Sequence, residues 1–115
     1  MDPYEYESGL KEYIAGDRIF QAGDPGETMF VVAEGRIKIQ IRGNTVETVD
    51  KGGIFGEMAL LGSTQRSADA VALTRSMLLP IDEALFLHMV QKSPRFSLQV
   101  MQVIADRLRR INELI

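Results

Sequence analysis

Gly52-Gly53-Ile54-Phe55-Gly56-Glu57-Met58-Ala59-Leu60-Leu61-Gly62-Ser63-Thr64-Gln65-Arg66-Ser67-Ala68 is the most informative stretch of this 115-residue sequence. A glycine-rich turn opens it, the apolar segment predicts one helical turn from Glu57 to Leu61, and Gly62 ends that turn. Free N–H groups at such a helix start attract an anion, and glycine at 56 lets the anion approach the backbone closely. Arg66 falls where the chain returns as a strand, and guanidinium grips phosphate oxygens in a forked geometry. Glu57 would repel a lone phosphate. A ligand with both a phosphate and a hydroxyl resolves the conflict, since Glu57 accepts from the hydroxyl while Arg66 balances both negative charges. A ribose cyclic phosphate has that combination. The same spacing fits equally well a structural Glu57–Arg66 ion pair beside an ordinary glycine turn.

Outward from this stretch the chain changes character once, near Asp82. All 10 glycines precede it, so turns between short strands are expected before it and helices after it. Arg36-Ile37-Lys38-Ile39-Gln40-Ile41-Arg42 alternates apolar with polar residues, which predicts a strand with one face in a core. Met29–Ala33 precedes it across Glu34-Gly35, and Gly43-Asn44 predicts a turn into Thr45–Val49. Arg18–Phe20, Ala68–Ala72 and Met77–Ile81 read as further strands. Many short strands between turns predict an antiparallel sandwich or closed barrel. Asp82 is an N-cap for a helix from Glu83 to Gln91, and Ser93-Pro94 starts a second. From Phe96 onward Val100, Val103, Ile104, Leu108, Ile111, Leu114 and Ile115 form one apolar stripe.

Composition narrows the function classes. A hydrophobic fraction of 45% and a charged fraction of 25% match one ordinary globular domain over residues 1–115. No apolar run approaches the roughly 20 residues of a membrane span, and the acidic N-terminus is not a secretory signal. The absence of cysteine excludes thiol chemistry and fits a cytoplasmic protein. A net charge of −3 argues against nucleic-acid binding, which leaves Arg107, Arg109 and Arg110 to read as a solvated helix face.

The run Gly56-Glu57-Met58-Ala59-Leu60-Leu61, followed by Arg66-Ser67-Ala68, resembles the phosphate-binding cassette of the cyclic-nucleotide-binding domain family. The likeness extends to Ile19-Phe20, Gly23-Asp24-Pro25-Gly26, Met29–Val32, Gly35 and Asp82, and so covers nearly the whole chain. It implies a mainly β fold with C-terminal helices. This is an antiparallel β-jelly roll, or double-stranded β-helix, over about 10–82, flanked by α-helices, with the C-terminal pair over about 83–115.

It also implies a ligand-responsive regulatory sensor for cAMP or cGMP, without catalytic residues, cofactor or metal. Carried onto this chain, Glu57 accepts from the ribose 2′-hydroxyl and Arg66 pairs with the cyclic phosphate. The N–H groups of Gly56, Ala59 and Ala68 and the Ser67 hydroxyl assist, with Met58 in the same turn. The last helix acts as a lid over the base through Arg107, Ile111 and Asn112. Serine after the arginine resembles bacterial cAMP receptors, which favours cAMP.

The resemblance implies a fuller helical segment ahead of the barrel than this chain carries, and a helix-turn-helix that its length does not accommodate. An excised sensor domain or a stand-alone binding protein is therefore expected, unable to read DNA by that route. The terminal stripe fits either a homodimer seam or packing on its own barrel. A nucleotide-independent interaction module of the same fold is the alternative function. His88, the single histidine, reads as a packed or surface imidazole, and one histidine without cysteine cannot build a metal cluster. The serines lack nucleophile-elbow spacing, and Asp82-Glu83 suits a helix start, so no turnover is expected.

Overall fold

The computed structural model describes residues 1–113; Leu114, Ile115 and the side chain of Ile111 lie outside the described residues. A 3-10 segment, Pro3–Gly9, leads into eight strands: β1 (Lys11–Tyr13), β2 (Arg18–Phe20), β3 (Met29–Glu34), β4 (Ile37–Ile41), β5 (Asn44–Val49), β6 (Ile54–Phe55), β7 (Asp69–Ala72) and β8 (Ser76–Ile81). Two helices follow, α1 (Glu83–Lys92) and α2 (Arg95–Glu113).

The strands form two antiparallel four-stranded sheets ordered β1-β8-β3-β6 and β2-β7-β4-β5, a jelly roll. β3 explains how they stack. Phe30 and Val32 point between the sheets and meet Ile37, Val49, Phe55, Ala70, Ala72 and Leu78. Met29 and Val31 point the other way, into a second core with Ile54, Leu79 and Ile81 that Met89, Phe96 and Val100 of the helices complete. A strand buried on both faces loses its alternation, which is why Met29–Ala33 is a continuous apolar run. β4 alternates in sequence, but its burial falls along the strand, with Ile37 buried and Ile39 packed in the inter-sheet core while Ile41 is exposed beyond it.

Two local expectations shift. The hairpin turns on Arg42 and Gly43, both at positive φ, and Asn44 already pairs with Ile41. α2 begins at Arg95, with the Phe96 and Ser97 N–H groups donating to Ser93 and Pro94 carbonyls. Asp82 caps α1 as expected, its carboxylate accepting from the Leu85 N–H at 2.8 Å. β1 and β6 are three and two residues long, too short to display a two-residue period in sequence.

Candidate ligand-binding site

The turn after β6 is built by its glycines. Gly56 sits at φ 75° and Glu57–Leu61 follows as a 3-10 turn that Gly62 closes, its N–H donating to the Met58 carbonyl. A Cβ on Gly56 would be strained by the positive φ and would lie 3.1 Å from Arg66 Nη1, crowding the guanidinium. The Ala59 N–H donates to the Gly56 carbonyl at 3.2 Å, so the turn already engages one of the expected anion donors. Met58 and Ser67 are exposed at the rim, while Ala68 is buried.

The Glu57–Arg66 ion pair is not formed; each residue has other company. Arg66 lies over the Phe20 ring, its guanidinium carbon 4.2 Å from the ring centre and 5.7 Å from that of Phe30. Nη1 donates to the Gly56 carbonyl at 3.4 Å and Nη2 to Thr28 Oγ1 at 3.3 Å. Both bonds are long, and Nε is buried with no partner. Burial pulls the Arg66 pKa down, with Asp24 acting in the opposite sense. The loop before β3 fixes this placement: the Arg66 N–H donates to the Asp24 carbonyl and its carbonyl accepts from Gly23, each at 2.8 Å. Gly26 leaves the guanidinium its place here, since a Cβ would stand 2.2 Å from Nε and displace it. Phe20, Gly26 and Thr28 thus position Arg66. The sequence reading placed Phe20 and Gly26 in the early strand and loop without seeing that they meet the arginine.

Glu57 is only 4% exposed, and its cationic partner is Arg107, whose Nη1 touches Oε1. Apart from this contact Oε1 has no hydrogen bond of normal geometry. Arg107 also donates from Nε and Nη2 to the two oxygens of Glu47, at 3.0 and 2.8 Å, and from Nη2 to the Ile54 carbonyl at 2.7 Å. Arg110 Nη2 reaches Glu47 from 3.3 Å. Burial alone would raise the Glu47 pKa, but Arg107 and Arg110 outweigh it and hold the carboxyl below its ordinary range.

The three C-terminal arginines therefore part company. Arg107 has a side chain 25% exposed and clamps α2 to the barrel, whereas Arg109, 67% exposed, pairs among the described residues only with Asp106 on its own helix. Of the expected lid residues, Arg107 reaches the turn and Asn112 is exposed. Sequence reasoning missed Glu47, because on an edge strand facing polar neighbours a carboxylate looks solvated.

A cavity of about 360 Å³ lies beside Arg66, among Tyr13, Ile19, Phe20, Gly26 and Thr28. Another of about 200 Å³ lies between β5 and α2, among Glu47, Val49, Ile54, Val103 and Arg107. His88 is exposed, edge-on to Tyr6. Among the described residues no helix is long and apolar enough to cross a membrane.

The model of the family described as "cyclic nucleotide-binding domain" matches residues 10–93. The chain belongs to this family. It is 32% identical over 102 residues to the cyclic AMP receptor protein of Thermus thermophilus, covering 84% of this chain and 47% of that protein. It is 36% identical over 78 residues to the cGMP-dependent protein kinase egl-4 of Caenorhabditis briggsae, covering 68% of this chain and 10% of the kinase. Among solved structures, the catabolite activator protein of Thermus thermophilus superimposes with a TM-score of 0.78 at 29% identity, over 96% of this chain and 56% of that one. The chain thus spans about half the length of the bacterial relative and a tenth of the kinase.

Proposed function

We propose that this cyclic nucleotide-binding domain binds cAMP in preference to cGMP and acts as a regulatory sensor without catalysis of its own. One observation carries the reading. A carboxylate, Glu57, buried with Arg107 at its Oε1, and an arginine, Arg66, whose buried Nε has no hydrogen bond, flank the same glycine turn. Unmade buried hydrogen bonds are costly in a ligand-free fold. A ribose cyclic phosphate offers a hydroxyl to the first and anionic oxygens to the arginine. The Gly56 and Ala68 N–H groups and the Ser67 hydroxyl add donors around the phosphate, with Met58 and Ala59 shaping the turn. Ser67, rather than threonine, and the likeness to a bacterial cyclic AMP receptor protein support the adenine preference.

α2 is already tied to the turn through Arg107, so nucleotide biases how tightly it closes rather than creating the contact. The switch is expected as slower hydrogen exchange across 95–113 on saturation with cAMP; unchanged exchange would count against it. Calorimetric titration with cAMP, cGMP and 5′-AMP tests the ligand. Saturable binding in the order cAMP, cGMP, 5′-AMP is expected, and heat with none of the three would sink the reading.

The terminal stripe divides. Val100 is buried in the chain's own core and Val103 and Ile104 pack against it, so the first half serves the barrel. Leu98, Met101 and Leu108 leave a second, exposed row on α2. That row supports a homodimer through α2, which sedimentation at several concentrations tests.

A further inference from the structure

We propose that Glu47 is a positioning residue for ribose recognition: it orients Arg107 so that Glu57 stays a charged acceptor for the 2′-hydroxyl. The inference rests on the cyclic-nucleotide reading above and goes beyond it to a residue outside the cassette.

A guanidinium offers five N–H donors in a rigid plane, so what holds one edge determines where the other points. In Arg107, Nε and Nη2 form the held edge, bonded to the two oxygens of Glu47. Nη2 is tied again by the Ile54 carbonyl, at the start of β6. Only Nη1 is left for Glu57. Glu47 in turn is fixed from a second side by Arg110.

Charge follows the same division. Glu47, Glu57, Arg107 and Arg110 together sum to zero, so Arg66, which makes no ion pair among the described residues, keeps its charge for an anion. Take Glu47 away and Arg107 has two alternatives. It turns both edges of its fork onto Glu57 and consumes the acceptor positions, or it leaves, and Glu57 is stranded in its buried position without a cation. In both, Glu57 stops being an open acceptor steadied by a cation, although no atom of the cassette has changed.

The test is a calorimetric comparison of cAMP with 2′-deoxy-cAMP on the full chain. In the unaltered protein, loss of the 2′-hydroxyl is expected to weaken binding roughly tenfold or more, since the lost bond is to a charged group. In Glu47→Gln that ratio is expected to drop to about a third of its value or less. A second arm uses Arg107→Lys, which keeps the charge but cannot fork. Adding Glu47→Gln to it should leave the ratio almost unmoved if Glu47 acts through Arg107.

A ratio in Glu47→Gln equal to that of the unaltered protein overturns the role of Glu47 and leaves the cyclic-nucleotide reading standing. Binding of neither nucleotide by the unaltered protein overturns both. A general loosening of the fold would weaken both nucleotides alike and leave the ratio intact, and so also counts against the proposal. Should Glu47→Gln fail to fold, Glu47→Asp is expected to lower the ratio in the same way, because its carboxylate stops one methylene short of Arg107 Nε and Nη2.

Discussion

Two arginines border the glycine turn, and the fold treats them in opposite ways. Arg107 is saturated, with two carboxylates and a carbonyl around one guanidinium. Arg66 sits on an aromatic ring with two long hydrogen bonds and one buried donor unmet. Saturation makes a cation structural: its charge is spent, and removing it strands its partners. An arginine held by ring stacking and weak bonds is oriented but uncompensated, so its charge remains available to an anion. The side chain that looks less well satisfied is therefore the one to assign to the phosphate.

Arg66→Ala should break that contrast most severely. Loss of a charge-assisted fork is expected to weaken cAMP by about 3 kcal/mol or more, roughly a hundredfold, with a small effect on melting. Titration calorimetry beside a thermal melt checks both halves.

Arg107→Ala should do the reverse, because Glu57 stays buried without a cation. A stability loss of about 2–3 kcal/mol is expected from denaturant unfolding, with nucleotide affinity falling less than for Arg66→Ala. If Arg107→Ala costs affinity but no stability, the two arginines are not divided as described.

Gly26→Ala sharpens the comparison without touching a ligand-facing group. Its methyl would occupy the place of Arg66 Nε and push the guanidinium off Phe20. Affinity for cAMP should fall by about 1 kcal/mol, roughly fivefold, while the melting temperature changes little because the arginine end is flexible.

The smallest effect expected is a pH dependence confined to the saturated side. Glu47 is held below its ordinary value of 4.5, so it binds its proton less readily in the folded than in the unfolded chain. Its contribution is complete above about pH 4.5 and is lost as pH falls through the lower folded-state value. The melting-temperature gap between the unaltered protein and Glu47→Gln should stay level down to that point and then close. A gap that widens in acid would contradict the assignment.

The sequence by itself determined the elements whose signal is local. Ile37–Ile41 reads as a strand because apolar and polar residues alternate, and Ile37 and Ile39 enter the core between the sheets. Gly56 and Gly62 mark left-handed turns, and Asp82 caps a helix through its own side chain. The turn itself and the placing of Glu57 and Arg66 beside it were legible for the same reason, since the residue types and spacing are written within one short stretch.

What only the tertiary structure decided is which side chain compensates which. Glu57 faces Arg107 and not Arg66, and Glu47 joins them from 60 residues before Arg107. Arg66, just ahead of β7, meets Phe20 of the neighbouring strand β2 and Gly26 of the loop that follows it. Hydrophobic periodicity reports which face of an element is buried, but a charge carries no record in sequence of its distant partner. For the glycine turn the sequence thus supplied the groups proposed to meet a phosphate and a hydroxyl. The packing of α2 and of the loop before β3 decided which arginine was left free to do so.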